Sequence, residues 1–377
     1  MKVQCTREDL VQALAALGRI VPSRASNPVL NGCLMFTQEG MLVMQSTDLD
    51  LSLTIKMPVM VQEEGSTVVP ARYFLDLVRR LPEGEVDLNW NELSNQLEIN
   101  YNDNRASIRL NTWPPADFPS IHPRARGNSL KIDGEMWKNI IKKVIFAAAP
   151  RELRPNYAGV YFHFKNGQLS LVATDTYRLS LLTLPDTVEI DPEETGFLVP
   201  AAAITETGRL VEDKDQLEIT WDLKLVSFQT ERFILTSRLI EAQFPAYEKV
   251  IPGSAELEVY ADKAALEACL ERASLFVAPT EHFAVTELKV GDNALCISAQ
   301  APQVGSICEE IPVEGLVEGE CVASFNTRFL LEPLKAMDQQ KIRLCLNGSS
   351  GPVVYLENGD ASYLHLVLPV RRVNSPE

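Results

Sequence analysis

The chain has 377 residues, of which 46% are hydrophobic and 23% charged, so it can hold two or three ordinary globular domains, each with its own core. No apolar run approaches the roughly 18 residues needed to cross a membrane, and the opening MKVQCTRED lacks the apolar core of a signal peptide, so a cytoplasmic protein is expected. The net charge of −16 argues against nucleic-acid binding by the surface taken whole, because phosphate contacts need Lys and Arg.

In chain order, Thr6 to Ile20 reads as a helix: a Thr cap, Glu8 and Asp9 in the first turn, then Leu10, Leu14 and Leu17 on one face. Ser23 to Pro28 is a breaker-rich loop holding Arg24. Strand-like runs VLNGCLMF, MLVMQST and LDLSLTIKM follow, then a helix from Pro70 to Leu81 with Pro at its first position. VDLNWN, QLEINY and ASIRLNT alternate as antiparallel strands do, and Trp113 to Arg126, with four prolines, reads as a linker. The next third repeats this order. Gly134 to Ala149 is expected to be helical, with Met136, Ile140, Ile141, Val144 and Ile145 on the apolar side and Lys138, Lys142 and Lys143 on the other. Asn166-Gly167 is a hairpin turn. A helix from Pro200 to Val211, strands QLEITW and LVSFQT, and a linker from Phe244 to Ser254 complete it. The last third opens with a helix from Asp262 to Ala273, has another from Asn326 to Met337, and ends in the strand SYLHLVLPVRR. Each third is therefore helix, strands, helix, strands: an α+β fold.

The three thirds are copies. PARYFLDLVRRL, PAAAITETGRLV and NTRFLLEPLKAM lie 130 and 126 residues apart, with an acid in register (Asp76, Glu206, Glu332) and a base three residues on (Arg79, Arg209, Lys335). Gly32 answers Gly159, Gly40-Met41 answers Gly167-Gln168, and GDNAL at Asp292 marks a third turn. Thr47-Asp48 answers Thr174-Asp175, and Asp117-Phe118-Pro119 answers Gln243-Phe244-Pro245. In the third copy Gln300-Ala301 stands where the Thr-Asp pair would be. A period of this length suits a whole small domain, and it divides the chain into 1–125, 128–253 and 255–377.

Charge is uneven. The six expected helices hold 13 bases against 9 acids in a chain whose net charge is −16. Helix-favouring Lys and Arg would explain that excess; so would a basic helical surface that meets a polyanion while acidic sheets face away. The seven cysteines (Cys5, Cys33, Cys269, Cys296, Cys308, Cys321, Cys345) form no CxxC and read as buried free thiols. His122, His163, His282 and His365 are scattered without ligand spacing, so neither a metal nor a cofactor is expected.

At ATDTYRLS, VVPARYFLDLVRRLP, FNTRFLLEPLKAM, QFPAYEKVIP and LVLPVRR the chain resembles the bacterial sliding clamps, the beta subunits of DNA polymerase III, from residue 1 to about residue 372. The resemblance implies three repeated DNA-clamp domains, each of two helices plus antiparallel sheets, and a head-to-tail homodimer closed into a ring around duplex DNA, with the helices lining the hole. It implies a non-catalytic processivity factor of DNA replication, part of the DNA-directed DNA polymerase holoenzyme. Its partners would be duplex DNA read without regard to sequence, the DNA polymerase III alpha subunit, the clamp loader and other clamp-motif proteins.

Arg24 and Arg79 match positions the family uses on DNA; Lys142, Arg151 and Arg154 are added from charge and place. Dimer contacts would use Arg105 and Ile108 on the first domain and Leu275 and Phe276 on the third, the alternative for the last two being the core of their own helix. A peptide pocket between the second and third domains would comprise Tyr157, Thr174, Thr176, Tyr177, Arg178, Leu179, Pro245, Lys249, Val250, Pro352, Leu366, Val367, Leu368, Pro369, Val370 and Arg371. That set is an apolar trough with a cationic rim, suited to a peptide with Leu or Phe anchors and a polar or acidic neighbour. Thr176-Tyr177 departs from the Gly-His frequent in relatives, and Val373 to Glu377 extends past the usual end. Two other readings compete. Asp48 and Asp50 could be a metal-binding carboxylate pair of an enzyme, yet no second acidic cluster, companion histidine or phosphate-cradling glycine loop accompanies them. A protein scaffold that never surrounds DNA is the other.

Overall fold

The computed structural model describes residues 1–22, 24, 27–121, 124–151, 153–184, 194–277, 283–291, 293–315, 319–357 and 362–370. The chain begins with β1 (Lys2–Thr6), α1 (Arg7–Ile20), β2 (Gly32–Gln38), β3 (Met41–Thr47), β4 (Leu51–Pro58), β5 (Met60–Glu63), β6 (Ser66–Pro70), α2 (Ala71–Val78), β7 (Glu85–Asn91), β8 (Gln96–Tyr101) and β9 (Ala106–Asn111). It continues with β10 (Asn128–Asp133), α3 (Gly134–Val144), β11 (Gly159–Lys165), β12 (Gln168–Thr174), β13 (Arg178–Leu184), β14 (Glu194–Pro200), α4 (Ala201–Leu210), β15 (Gln216–Trp221), β16 (Leu225–Gln229) and β17 (Phe233–Arg238). The last stretch is β18 (Leu257–Asp262), α5 (Lys263–Ala273), β19 (Val285–Gly291), β20 (Ala294–Ala301), β21 (Gly305–Glu314), β22 (Cys321–Asn326), α6 (Thr327–Ala336), β23 (Lys341–Leu346), β24 (Val353–Glu357) and β25 (Ser362–Val367). One order of elements thus occurs three times, with β5 an addition to the first copy.

By density of contacts the fold has two compact units, Met1–Trp137 with Ala202–Leu239, and Lys138–Ala201 with the described residues from Ile240 on. They do not coincide with the three repeats, because sheets run through from one repeat into the next. In the first unit an eight-stranded sheet has the order β10-β15-β16-β17-β4-β3-β2-β6 and a five-stranded sheet the order β5-β1-β7-β8-β9. The repeats join where β17 pairs antiparallel with β4, from Leu51 opposite Ser237 to Ile55 opposite Phe233. In α1, Leu10, Leu14 and Leu17 are fully buried, each worth roughly 1.5–3 kcal/mol of apolar burial. In the second unit a twelve-stranded sheet has the order β14-β11-β12-β13-β25-β24-β23-β18-β21-β20-β19-β22. Here β13 pairs with β25, from Arg178 opposite Val367 to Thr183 opposite Ser362.

The helices lie where periodicity places them, and α1, α5 and α6 carry side-chain caps. Thr6 accepts from the Asp9 amide, Asp262 from Ala265 and Asn326 from Arg328. The strand ahead of each first helix (β1, β10, β18) escaped the sequence reading, although its signal is present: Val3 and Cys5, Leu130 and Ile132, and Leu257, Val259 and Ala261 alternate inward. The reading of α3 needs correction. Trp137 is fully buried and donates to Thr207 Oγ1 at 3.0 Å, whereas Met136 is exposed. Lys143, expected on the solvated side, is 6% exposed and 2.6 Å from Glu357 Oε2. The buried stripe is therefore Trp137, Ile140, Lys143, Val144 and Ala147, and a lysine inside it is tolerated because it is paired. Ile145–Ala147 tightens into a 3-10 turn.

The Thr-Asp landmark is a turn. Thr47 Oγ1 donates to Leu51 O at 2.9 Å and accepts from the Leu49 amide, while Asp48 Oδ1 accepts from the amides of Asp50 and Leu51. Thr174 and Asp175 repeat these bonds with Arg178 O, Thr176 N, Tyr177 N and Arg178 N. The Asp48 carboxylate is thus a turn cap. Gly32 and Gly159 recur for a steric reason: a Cβ at Gly32 would lie 2.9 Å from Val29 O, and one at Gly159 would run into Val199 O.

Candidate functional site

Where β13 meets β25, the second unit carries an apolar cluster made of Val172, Leu179, Tyr247, Cys345, Val354 and Leu366, with Tyr161, Phe244 and Ile251 packed against it. Four features hold it together. Leu179 sits opposite Leu366, and Leu366 opposite Val354, so three strands contribute in register. The Leu368 amide donates to Tyr177 O at 2.9 Å, continuing the pairing past β25. Tyr247–Val250 forms a 3-10 turn that turns Tyr247 inward, where its hydroxyl meets His163 Nδ1 at 2.8 Å. Phe244 stacks on Tyr161 at 4.8 Å between centroids.

Above this floor apolar side chains stand in solvent: Tyr177 is 56% exposed, Val250 55% and Leu368 41%. Pro245 and Lys249 are exposed, and Tyr157, Thr176, Pro352, Pro369 and Val370 half-buried. Leu179, Leu366 and Val367 are the buried base, and Thr174 is buried as the turn cap. Arg371 lies outside the described residues, as does the tail after it. Exposed Leu, Val and Tyr over a buried apolar base form a surface that gains by being covered.

Two arginines depart from the expectation. Arg178 is not a rim cation. It is buried, its Nε 3.0 Å from Asp175 Oδ2, its Nη1 bonded to Glu332, its Nη2 to Phe146 O, and its plane 4.3 Å from the Phe329 ring. Burial lowers its pKa and Asp175 opposes that shift. It ties the strand under the trough to α6 and to the turn after α3. The second is Arg154, which donates to Thr176 Oγ1 and lies 5.2 Å from the Tyr177 ring, so it supplies the trough's cationic rim alongside Lys249. This also bears on Thr176-Tyr177. Thr176 has φ +78 and its counterpart Leu49 φ +80, a slot where glycine is unstrained and a β-branched residue costs about 1–2 kcal/mol. The Arg154 bond offsets part of that cost.

The remaining candidates separate by surroundings. Arg24 and Arg79 are exposed in the first unit; Arg79 closes α2, and its carbonyl accepts from Arg7 Nη2 at 2.8 Å. In the second unit Lys142 is 2.8 Å from Asp338 Oδ1, and Arg151 is exposed and engaged in an interaction of its own. Arg105 is exposed and Ile108 half-buried on β9, the last strand of its sheet. Leu275 is 73% exposed and Phe276 half-buried after α5, with the Phe276 ring beside Gly305 at the start of β21. The paired acids of the repeat differ in partner: Glu206 bonds Arg209 and Arg19, while Glu332 takes Arg178 and Arg328. Sequence reading missed Glu357 and Asp338 as partners of the α3 lysines; neither has a periodic signal.

Models of three domains match the chain in order. They are the DNA polymerase III beta subunit N-terminal domain over residues 1–122, its central domain over 131–246 and its C-terminal domain over 248–371. A beta sliding clamp from Staphylococcus aureus is 25% identical over 380 residues, covering 98% of this chain and 99% of its own. The DNA polymerase sliding clamp from Bacillus subtilis shares the fold, with a TM-score of 0.92 at 23% identity over 98% of this chain and 99% of that one. The DNA polymerase III subunit beta from Pseudomonas aeruginosa gives a TM-score of 0.89 at 26% identity over 98% and 100%. With three successive domain matches laid over three copies of one strand and helix order, the chain belongs to the DNA polymerase III beta subunit family.

Proposed function

We propose that two copies of this chain close head to tail into a ring that encircles duplex DNA and holds the replicative polymerase on it. As a family member the chain is a sliding clamp, a non-catalytic processivity factor whose partner roles are with DNA and polymerase. One observation carries the ring. Each junction between repeats joins the strand after a Thr-Asp turn to the last strand of the next repeat: β4 to β17, then β13 to β25. Their counterparts by element order in the third and first repeats, β21 and β9, remain. Among the described residues β9 ends its sheet, and β21 has a partner besides β20 only at Val313 and Glu314. Two open edges that complement each other across copies give a closed head-to-tail ring and remove the hazard of bare edges. Arg105, Ile108, Leu275 and Phe276 would flank that contact. We place the domain boundaries at 1–125, 128–253 and 255–377.

Encirclement needs only weak, sequence-blind phosphate contacts, which let a ring slide. Arg24 and Arg79 would supply them, with Lys142 and Arg151 contributing and Arg154 serving the trough first. The trough would take a short linear motif from the DNA polymerase III alpha subunit, the clamp loader and repair proteins, its Leu or Phe anchors covering Tyr177, Val250 and Leu368 and its acid meeting Lys249 and Arg154. No helix among the described residues is long and apolar enough to cross a membrane, and we place the protein in the cytoplasm, beside its DNA. Leu275→Asp tests the ring: it buries a charge at each of two contacts, so sedimentation should find monomers. A variant that stays dimeric would overturn this placement of the interface.

A further inference from the structure

Two thiols stand against each other on the β20–β21 hairpin. Cys296 Sγ and Cys308 Sγ are 3.2 Å apart. The register sets Cys296 opposite Glu310 and Cys308 opposite Ser298, so they are diagonal neighbours on one face of the hairpin. That face is the open one, since Leu295 and Ile297, the residues either side of Cys296, point into the core and are fully buried. Cys308 is exposed and Cys296 half-buried, while Cys5, Cys33, Cys269, Cys321 and Cys345 are buried; all seven are free thiols. Side chains on a strand project from the sheet face and not from its hydrogen-bonding edge, so pairing of the β21 edge would leave Cys308 reachable.

We propose that Cys296 and Cys308 are a reversible oxidation site that forms a disulfide across the hairpin when the protein meets a peroxide. The Cys308 thiol releases its proton to solvent and the thiolate attacks one oxygen of hydrogen peroxide; an S–O bond forms, the O–O bond breaks, and the departing hydroxide takes a proton back from solvent and leaves as water. Cys296 Sγ then attacks the Cys308 sulfur. The S–S bond forms, the S–O bond breaks, and hydroxide leaves as a second water with the Cys296 proton. Two thiols are oxidised by one electron each and one peroxide is reduced. The roles follow from position. Cys308 is the sulfur that solvent reaches, and burial pushes the Cys296 thiol up to about 11, which keeps it protonated until it resolves the intermediate. A bond across the strand diagonal joins backbones farther apart than a relaxed disulfide prefers, and exposed bonds of that kind are readily reduced again by thiols.

The test treats the folded full chain with hydrogen peroxide, alkylates free thiols, and maps the digest by mass spectrometry. The proposal expects one intramolecular peptide pair joining Cys296 to Cys308, reversed by dithiothreitol, with the five buried cysteines still reduced. Cys308→Ser should abolish the cross-link. Cys296→Ser should strand Cys308 as a sulfenic acid that dimedone captures. Oxidation should also slow amide exchange along Gly305–Glu314 severalfold. Overoxidation of Cys308 in the parent chain with no cross-link, bonds only between chains, or a cross-link that survives Cys308→Ser would each overturn it. So would unchanged exchange in the fully cross-linked hairpin.

Discussion

Lys143→Met should open β24 and the end of α6, because it strands a buried carboxylate. In the intact chain Lys143 and Glu357 are 6% and 5% exposed, with Nζ 2.6 Å from Glu357 Oε2 and 3.5 Å from Asp338 Oδ2. Removing one member of a buried ion pair costs about 3–5 kcal/mol, most of it the uncompensated charge. Glu357 is not left bare: its Oε1 still accepts from the amides of Asp338 and Gln339 at 2.8 and 3.0 Å. Those bonds place the loss at the lower end, about 3 kcal/mol. Replacing both residues, Lys143→Met with Glu357→Gln, removes the charge while an amide oxygen keeps the two backbone bonds, so the loss should shrink to about 1 kcal/mol. A chain of several domains does not unfold in one step, so the readout is the opening free energy of β24 amides by native-state hydrogen exchange. A single substitution costing under about 1 kcal/mol, or a double substitution no milder than the single, would refute the claim that this pair is buried and mutually dependent.

Leu368→Asp removes the apolar anchor of the trough without touching the Leu368 amide bond to Tyr177 O, so binding of a Leu- or Phe-anchored clamp-motif peptide should weaken about 10- to 100-fold, from the roughly 1.5–3 kcal/mol of one covered leucine. Fluorescence anisotropy reads this, and unchanged affinity would remove the trough as the peptide site. His365 is fully buried with Nδ1 2.7 Å from Ser180 Oγ, and burial, with the Arg178 charge behind it, holds its pKa well below the ordinary 6.5. The unfolded chain takes up a proton near pH 6.5 and the folded chain does not. The contribution is therefore complete above pH 6.5 and falls by about 1.4 kcal/mol per pH unit below it. His365→Gln should flatten that slope between pH 6.5 and 5 in β25 exchange; a slope that persists would mean another group titrates there.

What the sequence makes legible is whatever repeats. The six helices, the two Thr-Asp turns and the hairpins all follow from local chemistry, and their recurrence along the chain reinforces the reading. Long-range pairings leave no such trace. Nothing periodic joins Lys143 to Glu357 or Arg178 to Glu332, so the sequence alone puts Lys143 on a solvated face of α3 and Arg178 on a cationic rim. The first strands of the repeats are hard to read for a different reason: five or six alternating residues directly before a strong helix are easily absorbed into its cap. For the trough, motif resemblance named the residues, but only the fold separates the exposed Tyr177, Val250 and Leu368 from the buried Leu179, Leu366 and Val367, and assigns Arg154 to the rim.

The central claim is topological, and retention on DNA of controlled topology tests it most directly. The protein is loaded onto a nicked circular duplex with a bacterial clamp loader and ATP, and bound and free fractions are separated by gel filtration. A closed ring stays with the circle and is lost once a restriction enzyme makes the DNA linear. Retention that does not change on cutting, or none on the circle at all, would contradict encirclement.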